Sequence, residues 1–269
     1  MSEDLGPYLG PQALQAIAAM ALSMARQIGC IAFIPGFGRN HMTGMHRNAI
    51  GLALALPQAA VIWHRMQLSP PSLAHLALLG LKEGLLGALI GLLLASPYWA
   101  FRSAFTLVDN QRGANAAQLV NPSMQADSSI LGELSERALT VLLIQAGIFG
   151  LLFDAIAQTY TVWPALSVLP DLFTEKQIDP AMLSSAFLAF LGSALLYSAP
   201  CLLLLLVIEL GFAVSSLAAQ GIPIYETAMP VKSLAALFCL AIYFGALTKF
   251  AFPDIVAWWS GGALEALSR

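Results

Sequence analysis

Charged residues are scarce in this sequence. Lysine, arginine, aspartate and glutamate make up only 10% of its 269 residues, whereas hydrophobic residues make up 58%. A soluble domain carries about 25% charged residues, so this composition excludes an ordinary soluble protein and predicts an integral membrane protein in contact with lipid. The net charge of −3 comes without any basic run. The sequence therefore lacks the electrostatic signature of nucleic-acid binding, and we expect no nucleic-acid partner.

Signatures of catalysis and metal binding are missing as well. The sequence has no GxSxG, Walker or HExxH motif. Its three cysteines, Cys30, Cys201 and Cys239, lie singly in apolar runs, which predicts free thiols that serve packing. The histidines have no metal-ligand spacing to acids or cysteines, and we interpret them as interfacial or loop residues: His41, His46, His64 and His75. We expect no enzyme, no cofactor and no metal site.

Apolar stretches dominate what is present and predict an all-α membrane protein with about six hydrophobic segments. They cover residues 12–34, 48–63, 73–106, 130–163, 181–218 and 231–259. About 20 residues cross a bilayer, so several are longer than one span needs. Pro57, Pro97 and Pro200 lie inside three of them, and proline removes a helical hydrogen bond. We expect some segments to be kinked or broken into helical hairpins, within a single domain covering residues 1–269.

Ionisable residues interrupt these apolar stretches more often than contact with lipid permits. Each would cost a few kcal/mol at the membrane midplane unless it were paired or faced water. Packing against other subunits removes this cost, so we expect the helices to pack on partner chains. The interrupting residues are Arg26, Lys82, Glu83, Glu133, Glu136, Arg137, Asp154, Glu209 and Lys249.

A glycine stripe marks the third segment. Its members recur at steps of four, three and four, so at about 100° per residue they share one helix face. Small residues allow helix backbones to approach closely, and such contacts drive helix association in lipid. The alternative is that glycine is simply common in membrane helices. The stripe consists of Gly80, Gly84, Gly87 and Gly91.

Lys82 and Glu83 lie beside the stripe. Neighbours on a helix point about 100° apart, so they cannot be assumed to pair. Glu83 falls near the predicted close contact and Lys82 nearly opposite to it. The alternative is a charge at a helix end that reaches the membrane interface.

A polar segment follows at Asp109, Asn110, Gln111, Arg112 and Gly113. It is typical of a loop or broken helix that lines a polar space. The rigid fork of Arg112 can clamp carbonyls or a carboxylate of an adjoining chain. An ordinary solvated loop is the alternative.

Three further acids stand in later segments. Glu133 and Arg137 have the spacing of a local salt bridge. Asp154 is compatible with a proton relay, although a transporter normally needs a chain of such groups. Glu209 ends a long apolar run, where its ionised form needs a partner, and we expect that partner to be a neighbouring subunit.

Several motifs in this order resemble the T component of the type III secretion export apparatus, the SpaR/YscT family related to flagellar FliR. They are Lys82-Glu83-Gly84, PYWAF at 97–101, VDNQRG at 108–113, Asn121-Pro122 and AMPVKS at 228–233. The chain departs from the family pattern at Asn121, where an aspartate is usual, and in the loop at 219–225. The resemblance adds Pro122, Pro230 and Lys232 to the residues expected to hold subunit contacts or gate geometry.

The resemblance implies a multi-pass protein of the bacterial inner membrane that joins the R and S components in an export gate. The gate would be an entry pore for unfolded secreted polypeptides. Further implied partners are the U switch protein and the large export gate ring protein. A proton-coupled or small-molecule secondary transporter is the alternative, but the proline breaks are not matched between the two halves of the sequence, as such a transporter favours.

Overall fold

The computed structural model describes residues 10–37, 42–114, 129–168, 181–218 and 224–259. Within these ranges the chain forms seven α-helices and one short 3-10 turn, with no strand. The helices are α1 (Pro11–Ile31), α2 (Gly44–Leu68), α3 (Leu73–Arg112), α4 (Ile130–Gln145), α5 (Ile148–Val162), α6 (Ala181–Ala218) and α7 (Ile224–Ala257). The 3-10 turn, Pro35–Phe37, follows α1.

Four of these helices, α1, α3, α6 and α7, are long and apolar enough to cross a membrane. A fifth span results if α4 and α5 are counted together as one bent span. The described part of the chain is therefore all-helical and has the four or five candidate spans of a multi-pass membrane protein; the expected number of about six hydrophobic segments is not confirmed. Helix α2 is not among the candidates, because asparagine, glutamine and histidine residues interrupt its apolar run.

The prolines do not divide their helices; of the kinks or breaks expected from the sequence, breaks at these prolines are contradicted. Pro57, Pro97 and Pro200 lie inside α2, α3 and α6. Among the described residues, the one apolar stretch that is divided is 130–163, and it breaks at Gly147. This glycine has φ of 78°, a left-handed conformation that glycine adopts without a Cβ penalty.

The C-terminal tryptophans explain why α3 tolerates Pro97. Proline has no N–H, so the carbonyl of Leu93, four residues earlier, loses its usual helical donor. The indole Nε1 of Trp258 donates to that carbonyl at 3.0 Å, and Nε1 of Trp259 donates to the carbonyl of Leu94 at 2.8 Å. The two indoles thus satisfy backbone acceptors at the proline position.

The chain divides into two compact units. Unit 1 comprises Met1–Ala95, Ile144–Ser184 and Trp258–Arg269, and so holds α1, α2, the first part of α3, and α5. Helices α1 and α2 pack together, and the hydroxyl of Ser23 donates to the carbonyl of Ala55 at 2.9 Å. The core of this unit is formed by Ala19, Leu22, Ile62, Met66, Leu79 and Ala165.

Unit 2 comprises Ser96–Leu143 and Ser185–Ala257, and so holds the end of α3 together with α4, α6 and α7. Aromatic rings fill its interior: Phe101 lies 5.2 Å from Phe105 and 6.2 Å from Tyr197, centroid to centroid. Buried Glu136 of α4 pairs with Arg102 of α3 at 2.7 Å. An acid inside an apolar helix is thus neutralised within the unit, as the cost of burying charge requires.

Candidate functional site

A buried ion cluster around Glu83 joins three helices of unit 1. Arg26 of α1 donates to both carboxylate oxygens of Glu83 in α3, from Nε at 2.6 Å and from Nη2 at 2.8 Å. Both side chains are 0% exposed. The same guanidinium donates from Nη1 to the hydroxyl of Thr159 at 2.9 Å and lies 3.7 Å from the ring centroid of Tyr160 in α5. This bidentate geometry is the one in which arginine holds a carboxylate most strongly.

Lys82 completes the cluster. Its Nζ lies 2.6 Å from Oε1 of Glu83, so these sequence neighbours do pair, although helix geometry alone placed Lys82 nearly opposite the close contact beside Glu83. The flexible four-carbon stem of lysine bends back over the helix, which a rigid side chain could not do. The ammonium also donates to three carbonyls after α5, at 2.9–3.1 Å; they belong to Pro164, Ala165 and Ser167.

The cluster neutralises the C-terminal end of α5. The last carbonyls of a helix lack intrahelical donors and carry partial negative charge. Arg26 Nη2 donates to the carbonyl of Trp163 at 3.0 Å, next to the three carbonyls bound by Lys82. Two cations and one carboxylate thus fasten α1 and α3 to the end of α5. Both oxygens of the carboxylate are engaged, so this arrangement stabilises the packing of three helices.

Arg26 is the member that sequence reasoning missed. It was counted among the charges inside apolar stretches but was not assigned to Glu83, because 57 positions separate the two residues. A signal did exist: the two are charges of opposite sign inside long apolar runs, and a charge in that setting needs a partner.

Helix α1 also makes the close approach that the glycine stripe predicts. A Cβ on Gly87 would collide with the backbone carbonyl of Arg26, and one on Gly91 with that of Cys30. Gly29 of α1 is the reciprocal small residue, since its added Cβ would lie 2.6 Å from the carbonyl oxygen of Gly84. The contact is made within this chain. An added Cβ on Gly84 itself meets nothing within 4 Å, and one on Gly80 meets only a Leu22 methyl at 3.9 Å.

Asp109 lies at the N-terminus of α4 in unit 2. Its Oδ2 accepts from the Ser129 hydroxyl at 2.5 Å and from the backbone N–H of Leu131 at 2.9 Å. The Ser129 hydroxyl oxygen in turn accepts from the N–H of Gly132 at 2.8 Å. A carboxylate and a serine at this position satisfy the orphan donors of the first turn. Asp109, which is fully buried, therefore fixes the end of α3 to the start of α4.

Arg112 and Gln111 belong to the same helix as Asp109. The sequence indicated a loop or a broken helix here, but α3 continues to Arg112 and is followed by Gly113, whose φ is 84°. Arg112 Nε lies 2.7 Å from Oδ1 of Asp109, so Arg112 has a carboxylate partner one turn away in this chain; its contact with an adjoining chain stays a prediction. Helical spacing of three residues makes that local pair possible.

Glu209 of α6 has partners within this chain too. Its Oε2 lies 3.1 Å from Nζ of Lys232 in α7 and accepts from Nε2 of Gln111 in α3 at 3.0 Å. The Glu209 side chain is 49% exposed, whereas Lys232 is only 12% exposed. Three helices of unit 2 thus meet at one carboxylate. A neighbouring subunit is not needed to satisfy this acid, although the exposed part of the side chain leaves room for one.

The remaining candidate residues are placed as follows. Gly113 contacts Met229 of α7, whose Cε an added Cβ would approach to 3.3 Å, and Pro230 lies inside α7. Pro122 falls outside the described residues.

The predicted pair of Glu133 with Arg137 is confirmed at 3.1 Å. The three cysteines are free, as expected. No group of three histidine, cysteine, aspartate or glutamate side chains able to hold a metal occurs in the parts of the chain that the structure describes.

Comparison with known proteins gives matches along most of the chain. The family model described as "Bacterial export proteins, family 1" matches residues 17–253. The chain is 32% identical over 223 residues to Yop proteins translocation protein T of Yersinia pestis, covering 82% of this chain and 84% of that protein. It is 27% identical over 234 residues to surface presentation of antigens protein SpaR of Salmonella typhimurium, covering 85% and 83%. It is 26% identical over 212 residues to flagellar biosynthetic protein FliR of Bacillus subtilis, covering 78% and 79%.

Proposed function

The chain belongs to the bacterial export proteins, family 1, and from that premise we propose that it is a structural subunit of a type III protein secretion export gate. In this proposal it lies in the bacterial inner membrane and assembles with the R and S components around an entry pore for unfolded secreted polypeptides. The U switch protein and the large export gate ring protein are the further partners. The whole chain, residues 1–269, acts as one gate subunit and is not an enzyme.

The observation that carries this proposal is the family match over residues 17–253, with relatives named for Yop protein translocation, surface presentation of antigens and flagellar biosynthesis. The geometry of the motif residues supports it. Glu83, Asp109 and Glu209 each bind side chains or backbone groups of neighbouring helices. Residues engaged in this way stabilise a shape, which is what a pore subunit contributes. The named relatives give no support to a secondary transporter.

The exposed surface of α6 supports packing on partner subunits. Large apolar side chains recur along one face of this helix and are 58–80% exposed: Leu203, Val207, Leu210, Val214 and Leu217. Such a face must be covered by lipid or by apolar protein surface. In the proposed assembly, helices of the neighbouring components cover part of it.

Mild detergent extraction tests the proposal. An affinity-tagged chain, expressed at native level with the rest of its export system, is purified and separated on a native gel, and the co-purifying membrane proteins are identified by mass spectrometry. The control is an equally tagged multi-pass protein of unrelated function. We expect this chain to be recovered mainly in a large complex with several other membrane chains. Recovery as a pure homo-oligomer that transports a small solute in liposomes would contradict the proposal.

A further inference from the structure

The outward face of α5 is polar, although α5 is one of the more apolar helices. Gly150, Asp154, Gln158 and Thr161 recur at steps of four, four and three, so they share one face, and all four are exposed. The opposite side is buried and almost entirely apolar, with Leu152, Ala155 and Ile156 at 0–2% exposure. These four exposed residues form the polar face of α5. A helix against lipid shows the reverse arrangement.

Asp154 is the residue of the polar face that would be most costly to place against lipid. Among the residues that the structure describes it forms no ion pair, and the buried cations of unit 1, Arg26 and Lys82, are bound to Glu83. An aspartate at the centre of a membrane helix costs about 2.5–3.5 kcal/mol when it faces lipid. Its short side chain cannot reach the membrane interface as lysine and arginine do. An ionised Asp154 therefore needs water or a polar surface beside it.

The same chain shows what its lipid-compatible surface looks like. Leu203, Val207 and Leu210 of α6 are 58–65% exposed and carry no polar group. The polar face of α5 is also exposed but offers a carboxylate, an amide and a hydroxyl. Gly150 adds open space, since an added Cβ there meets nothing within 4 Å. Two surfaces of one membrane protein with such different chemistry face different surroundings.

We propose that the polar face of α5 lines a water-filled passage, and that the extended polypeptide chains carried by the gate move along it. An extended chain has unpaired backbone N–H and C=O groups, which need water or polar side chains at every position. The Gln158 side chain offers both donors and an acceptor. The Thr161 hydroxyl donates to the backbone carbonyl of Gln158 at 2.6 Å and so offers its oxygen as an acceptor, and Gly150 leaves open space beside the helix. The location of the passage follows from α5 itself, while the identity of the cargo rests on the proposed function.

Thiol accessibility tests the aqueous part of the inference. Gln158→Cys and Thr161→Cys are made separately in membranes that carry the complete assembly, and a charged methanethiosulfonate reagent is added to freeze–thawed vesicles. Leu203→Cys is the matched control, because Leu203 is 62% exposed on an apolar face. The unsubstituted chain measures the background from Cys30, Cys201 and Cys239. Thiols react as thiolates, which form in water and not in lipid, so we expect the α5 positions to react at least about tenfold faster than position 203.

Equal, slow reaction at positions 158, 161 and 203 would overturn the inference, because the polar face would then be covered by a partner helix or by lipid. The cargo is tested by repeating the reaction with an export substrate arrested in the gate by a folded domain. We expect the arrested chain to slow the reaction at position 158 several-fold and to leave Arg137→Cys, on an exposed part of α4, unchanged. An unchanged rate at position 158 would overturn the proposal that cargo moves along α5. The co-purification experiment tests independently whether the chain is a gate subunit.

Discussion

At the scale of single residues, acidic side chains in apolar helices each bind more than one partner. Glu83 serves two cations, Asp109 serves a guanidinium and a helix terminus, and Glu209 serves an ammonium and an amide. Because desolvating an ion is costly, the loss of one member leaves the others uncompensated. A substitution in such a cluster therefore destabilises the chain mainly through the charged partners that it leaves unpaired.

Glu83→Gln gives the sharpest test of this sharing. The substitution keeps the shape but leaves Arg26 and Lys82 as buried cations without a counter-charge, which should destabilise the chain by about 3–5 kcal/mol. Thermal unfolding of the purified protein in detergent, followed by its tryptophan fluorescence, measures the loss. Glu133→Gln is the matched control, since that acid is 42% exposed in an i,i+4 pair and should change stability by no more than about 0.5 kcal/mol. Equal losses in the two variants would show that the Glu83 cluster is not needed for stability.

The glycine stripe offers a second comparison within one helix. Gly87→Ala places a methyl group against the Arg26 backbone, so α1 and α3 must separate, at a cost of about 1–3 kcal/mol. Gly84→Ala points its methyl into open space and should be neutral or stabilising by up to about 1 kcal/mol, because alanine favours helix over glycine. The melting temperatures of the two purified variants test whether the contact lies at Gly87 and not at Gly84. A loss at Gly84→Ala as large as that at Gly87→Ala would contradict the assigned contact.

At the scale of elements, the pattern of apolar residues predicted where helices run better than where they end. The stretch 73–106 stops six residues before α3 does, because Asp109, Gln111 and Arg112 are polar and hydropathy cannot distinguish a capped helix end from a loop. The break at Gly147 was missed because its neighbours are apolar. The tolerance of Pro97 depends on Trp258, a partner so distant in sequence that only the folded chain reveals it.

Asp109 should matter chiefly through helix α4. Asp109→Ala removes the acceptor of the Leu131 N–H and frees Arg112, and the loss of a cap costs about 0.5–2 kcal/mol. Amide hydrogen exchange should therefore accelerate at residues 131–133, while exchange in α7 stays unchanged. Asp154→Ala, which removes an exposed acid from α5, is the control and should leave α4 as it was. Unaltered exchange at Leu131 in the Asp109 variant would refute the capping role.

The packing of α6 on α7 can be checked through two native cysteines. Sγ of Cys201 lies 3.2 Å from Sγ of Cys239, near enough for a disulfide after a small adjustment. A membrane-permeant oxidant such as diamide accepts two electrons and two protons from the thiols, so the bond forms without other reactants. Maleimide labelling after denaturation should then fall from three thiols to one, with Cys30 still free. Cys239→Ser is the control and should retain two labelled thiols. Three reactive thiols after oxidation of the unchanged chain would mean that α6 and α7 pack differently.

At the scale of the whole molecule, sequence reasoning selected charged residues correctly as needing partners but assigned some of those partners outside the chain. It expected a neighbouring subunit at Glu209 and considered one at Arg112, whereas the structure supplies Lys232 and Gln111 for the first and Asp109 for the second. Composition shows that a charge is costly but not which distant helix neutralises it. Whether the same residues also hold contacts between subunits stays a prediction, and Glu209 is the position where the two roles can be separated.

A charge swap separates them. Glu209→Lys places two ammonium groups side by side, and Lys232→Glu places two carboxylates together, so either change should lower recovery of the assembled complex. If the essential partner lies within this chain, the double variant restores the attraction and should recover most of the assembly. Gln111 can then turn its amide to offer oxygen rather than nitrogen to the new lysine. An exposed pair contributes about 0.2–1 kcal/mol, so the single variants should reduce recovery by no more than a few-fold. A double variant no better than either single one would place the decisive partner of Glu209 on a neighbouring subunit, as the sequence alone had suggested.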